Sequence, residues 1–341
     1  MSDRRRLPAE WEIDNAVLLT WPHKFSDWEY MLDEVESCYL NIIEQLAKYV
    51  KVRLLVHPAI TAETLQKLHS HLGDAIDAVE VIPLDTNDTW TRDYGPITTI
   101  DDGKYVLNDF KFNGWGLKFA ADKDNLVNQR LYGASCDYAN RLNFVLEGGS
   151  IESDGHGALL TTTRCLMSPN RNGQSSREEI ERYLIRTLGV EKVLWVDHGN
   201  LAGDDTDSHI DTLARFAPDG TILYVACDDE NDPHFAPLQS MKADLEQLTD
   251  VDGNSYTLVA LPWPDGIYDV ASGERLPATY ANFLVTSEAV FVPTYAQPAN
   301  DAKALEIIGG VFKNHKIIGI DCRALIRQHG SLHCATMQLP Y

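Results

Sequence analysis

The chain has 341 residues, 44% of them hydrophobic, which is enough for one large domain or two ordinary ones. It carries 29 basic and 51 acidic residues, a formal charge of −22. Such an acidic surface argues against nucleic acid and anionic membranes as partners, and it favours a cationic small molecule or a basic peptide. No stretch is long and apolar enough to span a membrane, and the polar N-terminus lacks the pattern of a signal peptide.

The first predicted elements are a strand, an amphipathic helix and a second strand. The strands are expected over residues 16–20 and 52–56, and the helix over residues 26–49. No hairpin partner for the strand 16–20 is found in this region. The helix is indicated by five apolar side chains on one stripe, namely Trp28, Met31, Val35, Cys38 and Ile42.

From residue 94 onwards, a strand–strand–helix–strand unit recurs four times. Asp-Gly turns between strand-like runs indicate the hairpins, and Ser176 with Glu179 indicates a capping box at the start of one helix. The predicted segments are 94–100, 104–112, 122–132 and 142–146; then 143–153, 158–163, a helix from 176, and 192–196; then 209–216, 221–225, 235–248 and 256–261; and finally 280–285, 289–293, 301–314 and 316–320.

These units predict a closed ring of five repeats. The N-terminal elements make a fifth, incomplete copy, and residues 331–339 are expected to supply its missing strand. No linker or low-complexity stretch divides the chain. We therefore predict a single α/β domain over residues 1–341, a pseudosymmetric five-bladed α/β propeller built of ββαβ units. The pattern leaves an ordinary α+β sheet protein open as the alternative.

The six cysteines of the chain include no Cys-x-x-Cys pair. This pattern predicts free thiols in a reducing, cytoplasmic compartment. Zinc-ligand spacings, His-Glu-x-x-His and glycine-rich nucleotide motifs are absent from the sequence. We therefore expect neither a structural zinc site nor a nucleotide cofactor.

Cys334 is the candidate nucleophile, although a lone cysteine is more often a small buried hydrophobe. His333 is its neighbour, and neighbours on a strand point to opposite faces, so the partner of Cys334 is expected elsewhere. His209 and Asp211 stand at positions i and i+2 of a predicted strand and therefore share one face. A structural histidine is the alternative for His209.

Carboxylates and tryptophans close to glycines suggest a site for a cation. Glu147 precedes two glycines, where the backbone can approach a ligand closely. Trp90 and Asp93 share one short segment, and Trp115 lies in a glycine-rich loop. Tryptophan rings bind cations through cation–π contacts. The alternative interpretation is a solvated turn glutamate and tryptophans that only anchor the packing.

Seven motifs follow one another along the chain: WTRD at 90–93, FNGWG at 112–116, EGGSI at 147–151, SPNRN at 168–172, DTDSHID at 205–211, YANFL at 280–284 and LHCAT at 332–336. From about residue 11 to the C-terminus, their order and identity resemble the agmatine deiminase and Porphyromonas-type peptidylarginine deiminase family. That family has the five-bladed α/β propeller, or pentein, fold, in agreement with the repeat pattern.

The resemblance implies a role for each matching residue. Cys334 matches the nucleophile and His209 the general acid/base. Asp93 and Asp211 match two carboxylates that grip the guanidinium group of the substrate. Glu147 matches an acidic residue that orients the histidine and contacts the substrate. Trp90 and Trp115 match aromatic residues that wall the pocket.

The resemblance also implies the reaction. A thiolate attacks the guanidinium carbon, ammonia leaves, and water then releases a ureido product from a covalent amidino-thioether. Neither a metal nor an organic cofactor is required. Agmatine, which would give N-carbamoylputrescine for putrescine synthesis, is the leading substrate.

Alternatives remain open because residues 328–331 read QHGS, where agmatine-specific relatives typically carry GGGN. This difference leaves the substrate tail undecided, so free or peptidyl-arginine is the second candidate. An amidinotransferase and a non-catalytic binding protein are two further alternatives. The joint presence of all five candidate catalytic residues argues against the binding protein. The sequence leaves open whether the chain forms a homo-oligomer.

Overall fold

The computed structural model describes residues 5–13, 16–173 and 175–340. Its described residues form sixteen strands and ten α-helices, several of them only one turn long. The strands are β1 Ala16–Thr20, β2 Lys51–Val56, β3 Val79–Pro83, β4 Ile97–Asp101, β5 Lys104–Lys111, β6 Tyr138–Val145, β7 Ile151–Ser153, β8 Ala158–Thr162, β9 Lys192–Val196, β10 Ala214–Ala217, β11 Thr221–Val225, β12 Thr257–Leu261, β13 Leu284–Val285, β14 Ala289–Thr294, β15 Lys316–Asp321 and β16 Met337–Leu339. The helices are α1 Leu32–Leu46, α2 Thr61–Leu72, α3 Thr91–Tyr94, α4 Gly114–Leu117, α5 Val127–Tyr132, α6 Thr163–Leu166, α7 Pro169–Asn172, α8 Arg177–Leu188, α9 Phe235–Leu245 and α10 Pro298–Val311.

The strands form five small sheets with one shared pattern. Four sheets have three strands each, in the orders β4-β5-β6, β7-β8-β9, β10-β11-β12 and β13-β14-β15. In each of them the first pair is antiparallel and the second pair is parallel. The predicted ββαβ repeat is therefore confirmed in all four units.

The fifth sheet joins the two ends of the described chain. Its order is β16-β1-β2-β3, and β16 pairs with β1 in an antiparallel register that sets Ala16 against Leu339 and Leu18 against Met337. The prediction that the C-terminal segment supplies the missing strand is thus confirmed. Helix α2 and strand β3 were not predicted; β3 is a short edge strand in which no residue is fully buried.

The predicted helices are mostly correct in position, but α1, α5 and α9 are shorter than predicted, and α10 begins and ends three residues earlier. All five side chains of the predicted N-terminal stripe are buried, although Trp28 and Met31 precede α1. Ser176 and Glu179 form the predicted capping box before α8. No helix of the described residues is long and apolar enough to cross a membrane.

The leading strand of each predicted hairpin begins later than expected. Helix α3 occupies residues 91–94, and 3₁₀ turns occupy Gly148–Ser150 and Ile210–Thr212, while β13 begins only at Leu284. Each of these segments turns towards the interior before its strand starts. His209 and Asp211 therefore do not lie on a strand, and the argument from strand alternation was wrong for them.

Candidate active site

Cys334 lies in a tight turn over residues 332–335, just before β16. It is therefore not on a strand as expected. Its backbone N–H donates to Asn282 Oδ1 at 3.2 Å, and its Sγ lies 3.4 Å from the same oxygen and 3.7 Å from Asp211 Oδ2. The thiol is 5% exposed. Burial raises the pKa of Cys334 well above its usual range, and the carboxylates of Asp211 and Asp93 add to the effect. The thiol is accordingly protonated in the free protein.

Asp93 is a fixed, buried carboxylate beside His209. Trp115 Nε1 donates to its Oδ2 at 2.9 Å, and the Gly149 N–H donates to its Oδ1 at 3.0 Å. His209 Nδ1 lies 3.5 Å from that Oδ1. Burial raises the pKa of Asp93 to about 6, against the pull of His209 and together with the repulsion from Asp211.

His209 carries a proton at neutral pH. Burial alone would lower its pKa, but Asp93 and other neighbours raise the pKa of His209 to about 10. Neither ring nitrogen is in hydrogen-bond geometry with another described group. The imidazolium lies beside Asp93 and Cys165, and both raise its pKa.

Asp211 faces the same space with one oxygen unused. Its Oδ2 accepts from His333 Nδ1 at 2.8 Å, whereas its Oδ1 has no partner among the described residues. Burial opposes ionisation, yet the hydrogen bond and charge of His333, with His209 and Arg215, hold the pKa of Asp211 below its usual value. A buried, ionised carboxylate with a free oxygen is suited to a cationic donor.

Gly149 keeps the centre of the site free of a side chain. A Cβ at this position would lie 2.7 Å from His209 Nδ1, 2.8 Å from Asp93 Oδ1 and 3.0 Å from Asp211 Oδ2. No real side chain tolerates such contacts. Glycine is therefore the residue that lets these three groups converge.

Glu147 lies next to His209 but is bonded to another partner. Both of its oxygens accept from Arg171 Nε, at 2.9 and 3.0 Å, and both side chains are fully buried. Arg171 also donates to Asp207 Oδ2 at 2.6 Å and to the Thr206 carbonyl at 2.7 Å. Arg171 thus fixes Glu147 and the loop that leads to His209.

The pocket above Cys334 is walled by Trp90, Trp115 and Phe119. Both tryptophans are almost fully buried, and Trp90 packs so closely on Gly330 that a Cβ there would lie 2.3 Å from its ring. Among the lining side chains that the structure describes there is no lysine or arginine. Besides Asp93, the carboxylates that line the pocket are Asp27, Asp88 and Asp205.

Several non-glycine residues around the pocket have left-handed backbone. They include Trp115 at φ 54°, Ser208 at φ 63° and His329 at φ 67°. Such conformations cost on the order of 1–3 kcal/mol each and concentrate at functional sites. Lys118 joins two of these segments, since its Nζ donates to the Asp205 carbonyl and to Asp207 Oδ1.

Four residues that contact the site have no role predicted from the sequence. Arg171 and Asn282 were part of recognised motifs, so their motifs were the available signal. His333 was considered and set aside, and Cys165 was overlooked. The Cys165 sulfur lies within 4.8 Å of ligand atoms of His209 and Glu147.

Two clusters of described residues have the composition of metal sites. They are Glu147 with Cys165 and His209, and Glu10 with Glu152 and His333. Each contains a carboxylate already paired with a buried arginine: Arg171 in the first cluster and Arg215 in the second. A fixed arginine charge disfavours a metal cation at either place.

Comparison with known proteins decides the family. The model of the Porphyromonas-type peptidyl-arginine deiminase family matches residues 6–340. The chain belongs to this family. It is accordingly a deiminase-type hydrolase that acts on a guanidino C–N bond.

Individual relatives of this deiminase cover nearly its whole length. A Marinomonas sp. protein named "putative agmatine deiminase" is 33% identical, over 99% of this chain and 95% of its own. A Porphyromonas gingivalis structure named "putative arginine deiminase" is 46% identical, with a TM-score of 0.91 over 99% of this chain and 98% of that chain. A Cys→Ser variant of C. jejuni agmatine deiminase with substrate bound is 37% identical, with a TM-score of 0.89 over 99% and 96%.

Proposed function

We propose that this deiminase hydrolyses the guanidinium group of agmatine, giving N-carbamoylputrescine and ammonia through a covalent adduct on Cys334. The observation that carries the proposal is the convergence of one thiol, two carboxylates and one imidazolium on a space kept open by Gly149. A guanidinium is planar and presents N–H donors on several edges, so it matches the free oxygen of Asp211 and the fixed carboxylate of Asp93. The Cys→Ser variant that captured substrate in the C. jejuni enzyme supports a central role for cysteine.

In the substrate-free protein the Cys334 thiol stays protonated, and substrate binding is needed for it to ionise. Cys334 stands beside two carboxylates, which oppose its ionisation. A bound guanidinium neutralises those carboxylates, so the thiol loses its proton to solvent only when substrate is in place. This coupling protects the thiol from unproductive reactions in the empty site.

The proposed reaction then has two halves. The Cys334 sulfur forms a bond to the guanidinium carbon, and the C–N bond to one terminal nitrogen breaks while His209 donates its proton to the departing ammonia. In the second half, His209 takes a proton from water, and the hydroxide attacks the amidino-thioether carbon. The C–S bond breaks, the new hydroxyl proton returns to the sulfur, and the ureido product leaves.

The charge of the pocket favours agmatine over arginine. Its outer wall holds the carboxylates of Asp27, Asp88 and Asp205, and its described lining includes no lysine or arginine. A primary ammonium at the far end of agmatine suits such a wall, whereas the α-carboxylate of free arginine would meet like charge. Trp90 and Trp115 are proposed to cover the alkyl chain and the guanidinium face.

Deimination of arginine to citrulline is the second candidate. The higher identity to the P. gingivalis structure favours it, and the imidazole of His329 also lines the pocket. The α-ammonium of arginine could still pair with the outer carboxylates. A peptide-bound arginine lacks both terminal charges and would rely on the pocket walls alone.

We also infer a single domain in which the five sheets are the blades of a closed ring. The repeated strand pattern and the β16–β1 pairing support this arrangement. All six cysteines are free, which supports the predicted cytoplasmic location. A homo-oligomer remains a prediction for solution measurements.

The test measures ammonia and ureido product from purified protein with agmatine, free arginine and an arginine peptide offered separately. We expect turnover of agmatine, abolished by Cys334→Ala and unchanged by Cys136→Ala, which removes an exposed cysteine elsewhere. Turnover of arginine alone would replace agmatine as the substrate. Absence of product from all three compounds, with a protein that still shows a cooperative unfolding transition, would contradict the proposed reaction.

A further inference from the structure

A buried polar network lies behind Asp211, on the side away from the pocket. The Nδ1 atom of His333 lies 2.8 Å from Asp211 Oδ2, and its Nε2 atom lies 2.7 Å from Glu10 Oε1. Both the His333 and Asp211 side chains are fully buried. Glu10 belongs to the N-terminal 3₁₀ turn Glu10–Glu12, far from both in sequence.

The hydrogen on His333 can be assigned from its partners. Asp211 is ionised and can only accept, so the 2.8 Å contact requires a hydrogen on Nδ1. On the opposite edge, Nε2 faces the carboxylate of Glu10 and also Arg215 at 3.0 Å. The imidazole is therefore clamped between two acidic groups and directs Nδ1–H at Asp211.

Glu10 is the centre of this network. Its Oε1 accepts from Arg92 Nη1 at 3.0 Å, and its Oε2 accepts from Arg215 at 2.7 Å and from Gln338 at 3.0 Å. Arg215 also pairs with Glu152, and Arg92 donates to Gln338 at 2.5 Å. Four segments of the chain thus meet at the Glu10 carboxylate. Glu10 itself does not line the pocket above Cys334.

The arrangement has a consequence for the orientation of Asp211. A carboxylate held at one oxygen can still rotate, unless its donor is itself fixed. Here the donor is fixed by its contacts with Glu10 and Arg215, so Oδ2 stays on His333, while Oδ1 has no partner among the described residues. Charge-assisted hydrogen bonds of this kind give geometric control as well as energy.

We infer that Glu10 and His333 are a positioning pair for Asp211: Glu10 fixes the imidazole, and the imidazole holds the carboxylate in the orientation that receives the guanidinium. This inference rests on the proposed function. Neither residue reaches the substrate, so neither is catalytic. The pair acts mainly on substrate binding, because Asp211 grips the guanidinium before and during the reaction.

The experiment compares two replacements of His333 that separate its two nitrogens. In His333→Asn the amide nitrogen stands near Nδ1 and can still donate to Asp211. In His333→Gln the amide reaches towards Glu10 and leaves Asp211 without its donor. We expect His333→Gln to raise KM for the substrate roughly ten- to hundredfold, with a smaller change in kcat, and His333→Asn to recover most of this loss.

The role of Glu10 is tested in the same assay. Glu10→Gln is expected to raise KM, and the double variant with His333→Gln should be no worse than His333→Gln alone, because Glu10 acts through His333. Glu12→Gln is the matched control. It lies in the same turn, where its carboxylate pairs with the exposed Arg6, and its kinetics should equal those of the wild type.

The outcomes separate this inference from the proposed function. An inactive wild type refutes the function itself. An active wild type with unchanged KM in His333→Gln overturns the positioning pair, and additive losses in the double variant overturn the route through His333. Thermal unfolding is recorded for every variant. If His333→Gln does not fold, the contrast between Glu10→Gln and Glu12→Gln decides, and equal KM values in the two overturn the inference.

Discussion

At the scale of single residues, the pKa of Asp93 sets the expected pH dependence. Asp93 must be ionised to hold a guanidinium, and its pKa is raised to about 6 by burial. The guanidinium stays charged throughout this range, and His209, with a pKa of about 10, stays protonated. We therefore expect kcat/KM to fall more steeply as the pH drops through about 6, and to keep rising with pH from there to about 9 because the Cys334 thiol must still lose its proton to solvent.

Rates measured from about pH 4 to 9 test this expectation, with each sample returned to pH 7.5 afterwards to exclude irreversible unfolding. If kcat/KM instead falls near pH 4, Asp93 has an ordinary pKa, and other interactions offset the effect of burial on it in solution.

The residue types of the site could be predicted from sequence, but their partners could not. Cys334, His209, Asp93, Asp211 and Glu147 do lie together, yet Glu147 is bonded to Arg171 rather than to the histidine. Motifs report which groups a reaction needs. They do not report hydrogen bonds between groups far apart along the chain, such as that between Asp211 and His333.

At the scale of elements, the short helix α7 is expected to matter more for stability than its length suggests. Arg171→Ala removes the only charge paired with both Glu147 oxygens in the described structure and leaves that carboxylate buried. Breaking such a pair costs about 3–5 kcal/mol. We expect the free energy of unfolding to fall by that amount and the loop before His209 to loosen, with a loss of activity.

Denaturant unfolding measures this change, and Arg177→Ala is its control. Arg177 pairs with Asp197 at the surface, where a salt bridge contributes about 0–1 kcal/mol. If both substitutions change the free energy of unfolding equally, the buried pair of Arg171 contributes no more to stability than a surface salt bridge.

The elements also show why local patterns misplace the site. Periodicity located the second strand of every unit, which is buried over at least half of its length. It also located the third strands, although these are only partly buried and β6 begins four residues before the predicted strand. It extended the first strands back to Tyr94 at the end of α3, and through the helical turns Gly148–Ser150 and Ile210–Thr212. These turns point functional groups inward, and their conformation depends on contacts with other sheets rather than on their own sequence.

At the scale of the whole molecule, the β16–β1 pair is expected to control both stability and activity. Leu339 is fully buried on β16. Leu339→Ala should lower the free energy of unfolding by about 2–5 kcal/mol and reduce turnover in parallel, because Cys334 lies in the turn that leads into this strand. Val270→Ala, at a fully exposed position, is the control and should change unfolding by less than about 0.5 kcal/mol. If Leu339→Ala is clearly destabilised but its turnover is unchanged, the stability of the β16–β1 pair does not control activity.

The β16–β1 pairing also determines when the fold can be completed during translation. Strand β1 is translated near the start of the chain, but its antiparallel neighbour emerges only after the other four sheets have left the ribosome. The turn that carries Cys334 is made at the same late moment. From the translation of Asp211 until that moment, a nascent chain holds the carboxylates and the imidazole without the thiol, so burial of the Cys334 thiol marks the completion of the fold.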